Sequence, residues 1–193
     1  MMARLPWPLV RLLLRPAAKH RMPTDDRRIL EDVILRDIYG QAAIRRMLFV
    51  GCHQYSRWYP GIFRFRSRTR IETVDPDPDS RIFGASVHHP MPFQHLERDD
   101  ALRDQFDFIM INGVFGYGIN SDADKRSALD AASRLLRSDG LFLVGYRAGP
   151  YGDFDVRAAG PHFAEAAVPG FATPLVSSSH SNHHSFAAFR RKP

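Results

Sequence analysis

The side chains able to do chemistry in this sequence gather where short apolar runs end. Met47-Leu48-Phe49-Val50 runs into Gly51-Cys52-His53-Gln54-Tyr55, and residues 70–74 run into Asp75-Pro76-Asp77. A weaker run ends near His88-His89, and residues 106–111 end at Asn112-Gly113-Val114-Phe115-Gly116-Tyr117-Gly118. A glycine directly after a strand lets the backbone turn sharply and brings main-chain groups close to a ligand. A carboxylate in the same place can accept two hydrogen bonds at once. His53 and Tyr117 stand, by position, as candidates for moving a proton. Cys52 is the only cysteine, so an intrachain disulfide and a Cys-rich zinc site are both excluded. Beside an apolar run a lone thiol reads as packing rather than as a nucleophile. The pairs His88-His89 and His183-His184 are adjacent residues, which on a strand face opposite sides. His180, His183 and His184 also lack neighbouring carboxylates, so no metal site is expected. The absence of G-x-G-x-x-G after the first run argues against a nicotinamide dehydrogenase.

The elements that must position these residues alternate along the chain. Thr24 or Asp25 caps a helix carrying Leu30, Val33, Ile34 and Ile38 at helical spacing up to Gly40. Strands are expected at residues 47–50, 70–74, 83–87, 106–111 and 141–144. Helices are expected at residues 94–103 and 122–137, the second with Leu129, Ala132, Leu135 and Leu136 on its apolar face and Ser138-Asp139-Gly140 at its end. Residues 171–177 and 185–190 read as a hairpin joined by a polar Ser/His/Asn turn. This order implies an α/β fold with a mostly parallel sheet, helices on both faces and an antiparallel C-terminal hairpin. In such sheets ligands bind beyond the carboxyl ends of the strands, where strand order reverses.

Four motifs in order resemble the Rossmann-like, class I S-adenosylmethionine-dependent methyltransferases. They are MLFVGC at 47–52, IETVDPDP at 71–78, QFDFIMINGVF at 105–115 and ALDAASRLLRSDGLFLVGY at 128–146. The resemblance spans residues 28–190. It implies S-adenosylmethionine as cofactor and direct methyl displacement onto a small-molecule acceptor. The cofactor-binding residues it implies are Gly51, Cys52, His53, Tyr55, Asp75, Asp77, Asn112, Gly113, Val114 and Phe115. Among these, Gly51 would admit the methionine portion and Asp75, with Asp77 in reserve, would take the ribose hydroxyls. Phe115 or Tyr117 would lie against adenine or substrate. The leading helix and segments 114–121 and 147–170, the latter two with Arg147, Tyr151, Asp153, Phe154, Asp155 and Arg157, would form the acceptor pocket. The loop after the first strand departs from the family in holding one glycine, Gly51, where two or three are usual. An alternative therefore stays open: a non-catalytic binding or scaffold module of the same fold.

Charge narrows the partners. The 193 residues hold 27 Lys plus Arg against 21 Asp plus Glu, a net charge of +6. Arg4, Arg11, Arg15, Lys19 and Arg21 face no acid within residues 1–23, and Arg190, Arg191 and Lys192 close the chain. Residues 24–189 consequently carry 19 basic and 21 acidic groups, so nucleic acid is not an expected partner of the body. An RNA methyltransferase ranks behind the other two readings for the same reason. The domain is expected at 24–193, preceded by a basic, apolar tail at 1–23. That tail can pack along the domain, or contact a membrane surface or a protein. Arg11 and Arg15 interrupt any secretory hydrophobic region, and no run of about 18 apolar residues exists, so a cytoplasmic location is expected.

Overall fold

The computed structural model describes residues 5–10, 12, 25–65, 69–148, 153–179 and 184–193. Five strands are parallel: β1 (Arg46–Val50), β2 (Arg70–Val74), β3 (Val87–His89), β4 (Phe106–Asn112) and β5 (Leu136–Arg147). Three more, β6 (Phe163–Ala166), β7 (Leu175–Ser177) and β8 (His184–Arg191), are antiparallel, with β8 seated on β5 and pairing both others. The sheet order is β3-β2-β1-β4-β5-β8-β6, with β7 also on β8. The chain winds outward from β1 to β3, then crosses back to β4, so strand order reverses between β1 and β4.

Both faces of the sheet are covered, which is why the central strands read as continuous apolar runs. Helix α1 spans residues 25–40 as Asp25–Arg28, a wider π-type stretch Ile29–Ile34, and Leu35–Gly40. Its Leu30, Ile34, Leu35 and Ile38 are buried with Phe49, Phe108, Met110 and Phe186, and α2 (Tyr59–Arg64) adds Tyr59, Ile62 and Phe63. Each such side chain contributes about 1.5–3 kcal/mol on burial. The opposite face is closed by α3 (Asp122–Leu135), whose Ala128, Leu129, Ala132 and Leu135 pack on Ile109, Ile111 and Val144. Ser121 caps α3 by accepting the Asp124 N–H at 3.1 Å.

Four boundaries differ from the sequence reading. Residues 83–87 are not the third strand: Asp77 accepts the Asp79 N–H and starts a 3₁₀ helix, Pro78–Phe83, which delays β3 to Val87. The expected helix at 94–103 is two 3₁₀ turns, Phe93–Arg98 and Asp100–Leu102, because Asp99 restarts the chain by accepting the Ala101 N–H. Helix α3 stops at Leu135, and Leu136 already belongs to β5, with Asp139 at a φ of 60°. Residues 163–166, placed in the acceptor segment, form β6. Thr24, Tyr151, His180 and His183 lie outside the described residues.

Part of the tail packs along the domain. Tyr39 donates its hydroxyl to the Leu5 carbonyl at 2.7 Å, Trp7 lies 5.6 Å from the Tyr39 ring, and Val10 is fully buried. Leu9 and Leu12 face outward. Among the described residues no helix is long and apolar enough to cross a membrane.

Candidate functional site

The β1/β4 reversal is built from two glycine turns. Gly51 has a φ of 86°, and a Cβ there would stand 2.6 Å from Val114 Cγ2. Gly113 has a φ of 67°, and the Tyr55 hydroxyl lies 3.4 Å from where its Cβ would be. Any other residue would be strained at these two positions. Beside them lies a small, partly open cleft whose walls include Phe49, Gly51, Cys52, Tyr55, Tyr59 and Asn112.

On the β2 side the polar groups bind the protein's own backbone. Asp75 Oδ2 accepts the Cys52 N–H at 2.7 Å and Oδ1 accepts the Asp77 N–H at 2.9 Å, which ties the turn after β1 to the end of β2. Asp77 is exposed and caps the 3₁₀ helix. Thr73 Oγ1 accepts the Ala85 N–H and lies 2.9 Å from His88 Nδ1. Burial pushes the Cys52 thiol up to about 12, against a lowering hydrogen bond from Thr73, so it stays a thiol and is no nucleophile at neutral pH. Beneath them Glu72, fully buried, holds Arg46 at 2.7 Å, Arg70 at 2.9 Å and His89 at 2.8 Å. Burial raises the Glu72 pKa, but the His89 and Arg46 hydrogen bonds and the two guanidinium charges outweigh it, and the net shift is downward.

An aromatic ladder crosses the same strand ends. Phe83 stacks on His53 at 6.4 Å, His53 meets Tyr55 at 5.0 Å, and the Arg27 guanidinium sits 4.0 Å over the Tyr55 ring. Arg27 also donates to the Tyr59 hydroxyl at 2.8 Å, which lies 3.2 Å from Glu31 Oε1. His53 thus belongs to the β2 side, while Tyr117 stands 74% exposed on the turn after β4. Phe115 is a correction to the sequence reading: its side chain is fully buried and stacked on Phe154 at 4.7 Å, so it supports that turn from the core and presents no face to the cleft.

The ends of β4, β5 and β8 form a different environment. Asn112 Oδ1 lies 3.1 Å from His184 Nε2, on the sheet face covered by α1. A Cβ on Gly145 would stand 1.9 Å from that amide oxygen, so glycine at this position clears the space the pair occupies. Asp26, in the first turn of α1, contributes charge to His184, and its Oδ1 is buried without a hydrogen-bond partner. Asp153, buried, pairs with Arg147 at 3.0 Å and crowds Gly116. Asp155 caps the 3₁₀ helix Val156–Ala159 and pairs with Arg157.

The structure therefore gathers Gly51, Cys52, Tyr55, Asp75, Asn112, Gly113 and Val114 around the reversal, with His53 beside it and Asp77 one turn away. His184, Asp26 and Arg27 escaped the sequence reading. His184 was assigned to the hairpin turn, and only the β5–β8 register, which pairs it with Arg147, carries it to the strand ends.

No protein-family model matches this sequence, and no curated protein matches it. Solved structures do. The N-methyltransferase NodS from Bradyrhizobium japonicum, in complex with S-adenosyl-L-homocysteine, is 14% identical with a TM-score of 0.59, covering 95% of this chain and 99% of that one. A TehB-like SAM-dependent methyltransferase from Corynebacterium glutamicum is 17% identical with a TM-score of 0.55, covering 96% and 97%. A 16S rRNA methyltransferase from T. thermophilus, in complex with AdoMet and guanosine, is 15% identical with a TM-score of 0.54, covering 90% of this chain and 40% of that one. The fold is that of the Rossmann-like, class I methyltransferases.

Proposed function

We propose that the protein is an S-adenosylmethionine-dependent methyltransferase that places the methyl group on a small-molecule acceptor by direct displacement. One observation carries this reading. At the β1/β4 reversal two bare main-chain turns, Gly51 and Gly113, flank a cleft with a carboxylate, Asp75, at the end of the neighbouring strand. The residues fit the cofactor. Each Asp75 oxygen accepts a single N–H and keeps a second lone pair, which suits the two hydroxyls of a ribose.

Gly51, Cys52, His53 and Tyr55 would line the methionine side, and Asp75 with Asp77 the ribose. Asn112, Gly113 and Val114 would lie under the donor end. When bound, the cofactor supplies an electrophilic methyl group on a sulfonium. Phe49, Tyr59 and Met110 give the cleft an apolar wall, and alignment of the reactants provides much of the rate for a displacement. Tyr117, at the rim, is a candidate to handle the acceptor's proton. The near-neutral charge of residues 24–189 favours a small acceptor over RNA. A cytoplasmic site of action belongs to the same proposal.

A second reading, a non-catalytic module of the same fold, is favoured by the aromatic ladder across the strand ends and by the two amides already on Asp75. Titration calorimetry with S-adenosylhomocysteine separates the two. Binding by the folded chain is expected, and a folded chain that binds none sinks the methyltransferase in favour of the module.

A further inference from the structure

We propose that His184 is the proton acceptor for the group that receives the methyl, held in one tautomer by Asn112. This rests on the methyltransferase reading. The amide oxygen of Asn112 can only accept, so at 3.1 Å His184 Nε2 must carry the hydrogen. In the neutral ring the basic lone pair is then on Nδ1, which has no hydrogen-bond partner among the described residues. Three features hold the ring there. Gly145 leaves the space that any side chain would take from Asn112. The Phe186 ring packs at 67° to the imidazole, 5.0 Å away. The register of β8 on β5 fixes His184 opposite Arg147.

The charged groups around the ring suit a base. Burial favours its neutral form and lowers its pKa; Asp26 from α1 and Asp153 after β5 oppose this, and Arg27 from α1 adds to it. Arg147, its cross-strand neighbour, is engaged by Asp153. Burial thus favours the neutral ring, with Nδ1 open to take a proton. Asp26 Oδ1, buried and unpartnered, is the remaining acceptor for a hydroxyl or an ammonium group. The ligand chemistry is thus a small molecule whose acceptor oxygen or nitrogen starts protonated. Once the acceptor has a free lone pair, which for an ammonium group requires loss of the proton first, that pair forms the new bond to the methyl carbon, the carbon–sulfur bond breaks and its electron pair stays on sulfur. The proton leaving the acceptor goes to Nδ1, while Nε2–H stays on Asn112.

The test follows the His184 ring nitrogens by NMR in the full chain with ¹⁵N-labelled histidine, as pH is varied, for wild type, Asp26→Asn and Asn112→Ala. Expected are the Nε2–H tautomer in wild type, loss of that preference in Asn112→Ala, and a lower titration midpoint in Asp26→Asn. With saturating S-adenosylhomocysteine, phenol and butylamine are then titrated, and at least one should move the Nδ1 resonance. An Nδ1–H tautomer, a midpoint unmoved by Asp26→Asn, or silence toward both probes while S-adenosylhomocysteine binds overturns the proposal alone. The expected tautomer in a chain that does not bind S-adenosylhomocysteine overturns the methyltransferase reading and, with it, this role.

Discussion

The two halves of the sheet's carboxyl edge treat their polar groups differently. At β1, β2 and β3 the carboxylates and the hydroxyl are spent on structure: Asp75 holds two amides, Thr73 holds Ala85, and Glu72 holds two guanidinium groups and the His89 ring, which leaves only His88 Nε2 buried without a partner among the described residues there. At the ends of β4, β5 and β8, Asp26 Oδ1 from α1 is buried and, among the described residues, has no partner, and His184 is bonded there through one nitrogen. Buried polar groups are ordinarily satisfied, because an unmet one costs about 1–3 kcal/mol. The carboxylates of the first half form a frame around the cleft. The second keeps acceptors unspent, which is where a reacting group belongs.

Breaking the frame should have the largest effect, and Glu72 is the place to break it. Glu72→Ala leaves Arg46 without its buried counter-charge and His89 without its hydrogen-bond partner, and removal of one partner from such a buried pair costs about 3–5 kcal/mol. Urea unfolding measures this directly. The pH dependence has a defined sign. The Glu72 pKa is lower folded than unfolded, so its contribution is present above the ordinary carboxylate range and lost as pH falls through the folded value. The acid limb of the wild-type stability curve should be steeper than that of Glu72→Gln; equal limbs would sink the assignment.

Gly51→Ala comes next. The positive φ and the 2.6 Å approach of Val114 together should cost about 2–4 kcal/mol and close the turn against the cleft. Adding Val114→Ala removes the overlap and leaves the φ strain, so the double variant should recover part of the stability. Recovery of all of it would show that backbone conformation contributes nothing here.

This contrast also explains what the sequence disclosed. Strand–helix alternation and the glycine and aspartate at strand ends are local signals, so the fold and the residues of the β1/β4 reversal were legible. Two of the boundaries that failed turn on Asx caps: Asp77 and Asp99 start 3₁₀ turns in segments whose apolar spacing also fits a strand or an α-helix. Phe115 was misread because strand-end position does not say which way the following turn directs a ring. His184 depends on a register across 72 residues of sequence from Asn112, and nothing local encodes it.

Arg27 spans the two halves, capping the aromatic ladder and lying close to His184. Arg27→Met keeps much of its packing and loses the ring contact and the hydrogen bond to Tyr59, a loss of about 1–2 kcal/mol. It should also raise the His184 titration midpoint, since the guanidinium charge now lowers it. A change in stability without that rise would confine Arg27 to the frame.

The smallest effect distinguishes one histidine in each half. Burial lowers the pKa of both His88 and His184. For each, the unfolded chain binds a proton at higher pH than the folded one, so the contribution is full above the ordinary histidine value and lost as pH falls through the lowered value. His184→Asn and His88→Asn should therefore each flatten the stability curve just below neutrality. Loss of His88 also strips Thr73 of a partner and should lower stability at every pH, whereas His184→Asn leaves Asn112 an amide to bond and should change mainly the slope. Chemical denaturation on either side of the ordinary histidine pKa measures both terms. A uniform loss in His184→Asn, with the slope unchanged, would place His184 in the frame with His88 and remove the contrast between the halves.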